Sequence, residues 1–174
     1  MITSPFICVK ITPEMIAEAE KRNLVSKDKY GTKGTRLVEK NDKIRQTGYI
    51  GEQIVKHAFS NLEFSTSDDY DLVYLGKKFD VKSVGCNSFP EPFHVGTVFN
   101  DETKKDIDFY IFTRIKNDNS LGWITGFISK DDFFKKADTI KAGTKNNNFT
   151  YEHNRYTIEY GKCIRPVSVF RGKK

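Results

Sequence analysis

Residues 71–83 read DLVYLGKKFDVKS, and this stretch decides the fold that the sequence predicts. Two runs of alternating character flank Gly76-Lys77, a pair that suits the two-residue loop of a type II′ hairpin. This register places Asp71 opposite Lys82. Because side chains alternate along a strand, the hairpin has one core-facing and one charged face. The core-facing side chains are Leu72, Tyr74, Phe79 and Val81, and the charged face carries Asp71, Val73, Asp80 and Lys82.

Helices and further strands are expected on both sides of the hairpin. Three stretches have the apolar spacing of helices, namely 13–23, 42–60 and 130–142. Alternating or continuous apolar runs predict strands at 70–75, 78–84, 109–115, 122–128, 156–160 and 163–170. The run at 109–115, FYIFTRI, is apolar enough to be buried on both faces. The order predicts one α/β (α+β) domain with helices flanking a central mixed β-sheet.

Composition and charge restrict the class of protein. The 174 residues include 29 Lys and Arg against 23 Asp and Glu, a net charge of +6. No apolar run approaches the length of a membrane span, and the N-terminus lacks the pattern of a secretory signal. The three scattered cysteines disfavour a disulfide framework and a zinc site. We therefore expect a cytoplasmic protein with a polyanionic partner and no membrane partner.

A third carboxylate is expected beside the hairpin. Glu52 lies on the flank of the helix predicted at 42–60, close to its apolar stripe. A carboxylate there is costly unless it is solvated, paired or bound to a cation. Together with Asp71 and Asp80 it makes the oxygen-rich set that Mg²⁺ prefers. The simpler alternative is a solvent-facing hairpin with an ordinary ion pair across its strands.

These residues resemble the PD-(D/E)xK nuclease superfamily, which has the restriction-endonuclease-like fold. The resemblance rests on Glu52 in GYIGEQ, Asp71 in DYDLV, and DVK at 80–82, and it extends over residues 47–83. Tyr70 stands where the family pattern has proline. The resemblance implies a single nuclease domain over 1–174. Its parts would be a basic helix and loop at 1–40, a catalytic core at 42–128, and a C-terminal helix and strands at 130–174.

The resemblance also implies a metal-dependent nuclease, which we expect to be a small DNA endonuclease. Asp71 and Asp80 would hold Mg²⁺, with Mn²⁺ as the alternative ion, together with the backbone carbonyl of Val81. Glu52 would be an additional or water-mediated ligand. Lys82 would orient or deprotonate the attacking water and offset charge at the phosphate. The nuclease would act on a DNA structure, act with little sequence preference, or gain specificity as a homodimer, and a phage or mobile-element source would suit so small a nuclease.

Two parts of this interpretation stay open at the level of sequence. Asp69 has the strand parity of Asp71 and would replace it in a shifted hairpin. Residues 85–105 show no helical period where the family core has a crossover helix. A non-catalytic nucleic-acid-binding or assembly domain on the same fold is the alternative function. An unrelated α+β protein with an accidental match is the third.

Contacts to nucleic acid are expected from two places. The hairpin tip supplies Lys77 and Lys78 beside the expected site, and the basic stretch between positions 21 and 45 supplies Lys33, Arg36, Lys43 and Arg45. A solvated basic surface explains that stretch equally well. Aromatic residues at 89, 93 and 99 would stack on bases or, as base rates favour, pin a loop to the core.

Overall fold

Two parallel strands form the centre of the molecule. The structure is a computed structural model that describes residues 6–30, 42–146 and 149–163. The main sheet has six strands, in the order β1 (Ile7–Lys10), β7 (Leu121–Ser129), β6 (Phe109–Lys116), β4 (Lys77–Cys86), β3 (Leu72–Tyr74) and β2 (Glu63–Phe64). A second sheet has the order β5 (Val95–Phe99), β11 (Arg155–Glu159) and β8 (Asp138–Ile140). Only β4 and β6 run parallel, and the other neighbours in these two sheets are antiparallel. The predicted α+β class with a central mixed sheet is confirmed.

The other elements have the following bounds. The helices are α1 (Pro13–Tyr30), α2 (Asp42–Ala58) and α3 (Lys130–Lys136), with 3₁₀ turns at Asn100–Lys104 and Tyr160–Lys162. The remaining strands are β9 (Lys145–Asn146) and β10 (Phe149–Thr150). None of the described helices is long and apolar enough to cross a membrane.

Strand β6 separates two hydrophobic cores, as its continuous apolar run predicts. Ile111 and Ile115 belong to the core that α1 and α2 cover, whereas Tyr110 and Phe112 belong to the core under α3 and the second sheet. All four side chains are buried. Alternation along one strand therefore feeds both layers.

Helix α2 approaches the main sheet most closely at Gly51. A Cβ atom there would lie 1.9 Å from Ser83 Oγ and 2.7 Å from Thr113 Oγ1, side chains of β4 and β6. These hydroxyls hydrogen-bond to each other over 2.8 Å, with Thr113 donating. Only glycine allows this approach, which fixes the position of the next residue, Glu52, above the strands.

The hairpin register predicted from the sequence is wrong: each residue of β3 pairs with a residue of β4 two positions earlier than predicted. Leu72 pairs with Phe79 and Tyr74 with Lys77, so the loop is Leu75-Gly76 rather than Gly76-Lys77. Both loop residues have positive φ, 47° and 74°, as in a type I′ turn rather than type II′. The predicted faces survive, because moving the loop by one residue preserves the parity of every cross-strand pair.

Several predicted boundaries differ from the structure. The helix predicted at 13–23 continues to Tyr30, and the one predicted at 130–142 ends at Lys136. Residues 138–140 instead pair with β11, because a sheet partner distant in sequence outweighs local helical spacing. Strands β1, β2, β5, β9 and β10 were not predicted, and most of the strand predicted at 163–170 lies outside the described residues.

Candidate functional site

The site forms where β3 stops pairing with β4. The strand pairing ends at Leu72, and the preceding residue, Asp71, contacts β4 through its side chain as well as its backbone. Asp71 Oδ2 accepts a hydrogen bond from the Val81 backbone N–H over 2.6 Å, and the Asp71 N–H donates to the Phe79 carbonyl over 2.9 Å. Because the N–H and C=O of one strand residue point to the same side, the Val81 carbonyl also faces the side where Asp71 lies.

Asp80 lies beside Asp71 and is enclosed by lysines. Its side chain is 2% exposed. Oδ2 lies 2.6 Å from Lys82 Nζ, and Oδ1 lies 3.3 Å from Lys105 Nζ. Although Oδ2 is so close to a cation, it is buried and no donor meets it in hydrogen-bond geometry. A further ligand of this oxygen would have to share it with the Lys82 ammonium group.

Glu102 completes the cluster and was not predicted from the sequence. Its Oε1 lies 2.5 Å from Lys82 Nζ and 3.6 Å from Lys105 Nζ, and its Oε2 accepts from the Phe99 N–H over 3.0 Å. Glu102 stands in the 3₁₀ turn of the crossover from β4 to β6, the segment without helical period. The available signal was the parallel pairing itself, because a crossover must return beside the start of β6, next to Asp80.

Glu52 reaches the same region from α2 but already has a partner. Its side chain is buried and forms an ion pair with Arg22 of α1. The Arg22 guanidinium also lies over the Tyr49 and Phe64 rings, 5.0 and 4.6 Å from their centroids. Arg22 was not among the predicted site residues, because its contact with Glu52 joins two helices 30 residues apart in the chain, which local spacing does not report.

The carboxylates of the cluster repel one another in a buried setting. Burial, and then the charge of Asp71, hold the pKa of Glu52 well above its usual range, although Arg22 opposes the shift. Burial and Asp80 raise the pKa of Asp71 to about 6. Like charges out of water disfavour ionisation in this way, and a cation bound among them would relieve the cost.

The lysine of the cluster is firmly protonated. Burial acts to lower the pKa of Lys82, but the charges of Asp80, Glu102 and Asp71 outweigh it and hold this pKa above its usual value. Glu102 shows the converse. Burial acts to raise its pKa, but Lys82 and the Phe99 N–H hold it below the usual value. Lys82 is therefore a fixed positive charge in the metal-free protein.

A divalent cation is compatible with this set of ligands. Within the described ranges, no group of three or more His, Cys, Asp and Glu side chains is arranged to hold a metal ion. Mg²⁺ needs fewer, since it keeps several waters and is commonly bound by one or two carboxylates. Asp71, the Asp80 oxygen without a hydrogen-bond donor, and the Val81 carbonyl supply that number.

The other predicted residues lie outside this cluster. Asp69 is exposed, and its N–H donates to Ser67 Oγ over 3.1 Å, so Asp71 rather than Asp69 contacts β4. The predicted phosphate-binding residues fall into three groups. Lys77, Lys78 and Arg45 form ion pairs with Asp108, Asp106 and Asp42, Lys43 is exposed, and Lys33 and Arg36 lie outside the described residues.

Comparison with known proteins adds no identification. The sequence matches no family model and no curated protein. The resemblance to PD-(D/E)xK nucleases therefore rests on the sequence motifs alone.

Proposed function

We propose that this protein is a metal-dependent nuclease with a restriction-endonuclease-like core, acting on DNA. The observation that carries the proposal is the convergence of Asp71, Asp80 and Lys82 at the open edge of β4, with Asp80 almost fully buried. A buried carboxylate pair beside a lysine is an expensive arrangement for a structural role alone. It matches the needs of phosphodiester hydrolysis, in which cation and lysine both face a polyanion.

The residues divide the chemistry as follows. Asp71, Asp80 and the Val81 carbonyl would hold the cation, and Glu52 would support it directly or through water. Mg²⁺ held there would supply Lewis-acid chemistry, polarising the phosphate and lowering the pKa of a water ligand. Lys82 would orient the attacking water and stabilise the negative charge that grows on the phosphate.

Glu102 and Lys105 keep Lys82 and Asp80 in place before substrate arrives. Glu102 contacts both lysines, and Lys105 contacts both carboxylates. Charged groups fixed in advance need no rearrangement when the transition state forms, which is the main advantage of such a network. Lys105 is 27% exposed and is the member most easily displaced when a cation takes its place at Asp80.

A non-catalytic nucleic-acid-binding domain on the same fold is the second candidate. The observation that favours it is that Lys82 and Lys105 together can neutralise Asp80. In that case the network would only stabilise the fold, and the surplus basic residues would bind phosphates.

The experiment that separates them is a cleavage panel. Linear duplex, branched junction, single-stranded DNA and RNA are incubated with the protein in Mg²⁺, Mn²⁺ or EDTA. We expect cutting that requires the metal and disappears in Asp80→Ala. Asp69→Ala is the matched control, since it removes an exposed aspartate near Asp71 that does not contact β4. Salt-sensitive binding with no cutting of any substrate would favour the second candidate.

A further inference from the structure

A groove of about 580 Å³ opens beside the candidate site, between β4 and the second sheet. Lys82 and Glu102 line it together with Arg114 of β6 and Arg155 of β11. The groove is therefore continuous with the cluster around Asp80. None of the functional assignments above involves its two arginines.

The two arginines give the groove a net positive charge. Among the described residues, neither Arg114 nor Arg155 pairs with a carboxylate, and the Nε of each is buried without a hydrogen-bond partner. Burial and then the Arg114 charge lower the pKa of His94, which also lines the groove. Half-buried guanidinium groups with a buried Nε and no paired anion are costly, so the groove is suited to a ligand that brings negative charge.

The groove also offers aromatic faces. Phe93 lines it and is 67% exposed, so it is not pinned to the core as base rates would favour. Phe99 is covered on one side by the Arg155 guanidinium, 5.0 Å from its ring centroid. An exposed ring next to phosphate-binding cations is how proteins hold unpaired bases, which stack on aromatic side chains while their phosphates meet arginine.

We propose that this groove holds an unpaired nucleotide of the substrate strand, next to the phosphate that is cut. The proposal rests on the proposed nuclease function and specifies its substrate as nucleic acid with a single-stranded segment. The volume lies in the range of about 300–1,000 Å³ that encloses a single small ligand. A base reaches Phe93 only when it is unstacked from a duplex.

Binding in EDTA tests the groove without cleavage. Fluorescein-labelled oligo(dT) and oligo(rU) of about 12 nucleotides, and a blunt DNA duplex of equal length, are titrated by fluorescence anisotropy. We expect at least one single strand to bind more tightly than the duplex. Phe93→Ala should weaken single-strand binding about tenfold. Leu24→Ala, which removes a similarly exposed apolar side chain (61%) outside the groove, should leave it unchanged.

The arginines are tested by salt dependence. Arg155→Gln should reduce the slope of log K against log salt for the single strand by about 0.7, the value for one lost phosphate contact. Arg155→Lys should restore most of the slope, which a purely structural role would not require. Lys10→Gln, with the same loss of charge at an exposed site on β1, should bind as wild type does.

The outcomes separate the two proposals. Equal binding of duplex and single strand by wild type, or equal single-strand affinity of Phe93→Ala and Leu24→Ala, would overturn the groove proposal even if the protein cuts DNA. If Phe93→Ala loses single-strand affinity but the wild-type protein cuts no substrate, the groove proposal would be supported and the nuclease proposal overturned.

Discussion

The tip and the middle of β4 each carry a lysine paired with an aspartate, in opposite surroundings. At the hairpin tip, Lys77 Nζ lies 3.3 Å from Asp108 Oδ1, with side chains 59% and 34% exposed. Five residues along, Lys82 Nζ lies 2.6 Å from Asp80 Oδ2, with side chains 18% and 2% exposed. Water screens the first pair, whereas the second is held in a buried network. The comparison teaches that burial, and not the presence of charges on the hairpin, distinguishes the candidate site.

The largest expected difference between the exposed pair at the tip and the buried pair in the middle of β4 is in their contribution to stability. Lys82→Ala leaves Asp80 and Glu102 buried with Lys105 as their remaining cation, so we expect the free energy of unfolding to fall by about 3 kcal/mol. Urea denaturation in EDTA measures it. A loss below about 1 kcal/mol, the usual value for an exposed pair, would show that the buried network does not differ from the tip. In Mg²⁺ the same variant should slow the chemical step in single-turnover cleavage.

The second prediction concerns the cost of keeping Asp71 ionised. Its pKa of about 6 lies above the usual value near 3.9, so ionisation disfavours the folded state as pH rises between the two. In EDTA at pH 7, Asp71→Asn should stabilise the fold by on the order of 2 kcal/mol, and the gain should vanish near pH 4. Thermal or urea unfolding across that range measures it. A gain that is constant with pH would contradict the repulsion described for the cluster.

The third prediction tests how α2 supports the buried cluster around Asp80 and Lys82. Gly51→Ala places a Cβ against Ser83 and Thr113, and we expect a loss of about 2 kcal/mol together with slower cleavage, since Glu52 is displaced. Gly48→Ala is the matched control on the same helix, where a Cβ meets nothing within 4 Å. Helix propensity alone should make it more stable by up to about 1 kcal/mol. Equal effects of both substitutions would show that the close approach has no role.

The smallest effect is expected at the tip. Lys77→Ala should change the free energy of unfolding by less than about 1 kcal/mol, because its ion pair with Asp108 is exposed. Added salt should reduce even that difference. If Lys77→Ala weakened DNA binding at low salt while stability stayed constant, the tip lysine would keep its predicted role in phosphate contact.

The charged centre could be predicted from the sequence because it depends on local patterns. The alternation of residues 71–83 indicates which side chains share a face, and this holds although the loop lies one residue earlier than predicted. That shift was not predictable, since Leu75 adopts the positive φ that the pattern assigned to glycine positions. Glu102 and Arg22 were missed for a different reason. Both reach the cluster through contacts far apart in sequence, which local periodicity does not report.

Binding of Mn²⁺ to the protein in the absence of nucleic acid tests the central claim most directly, because it does not depend on finding the right substrate. Isothermal titration calorimetry compares wild type with Asp80→Ala and with the control Asp69→Ala. We predict at least one ion bound by wild type and by Asp69→Ala, and none by Asp80→Ala. Equal binding by all three proteins, or none by wild type, would contradict a metal centre at the Asp71–Asp80 pair.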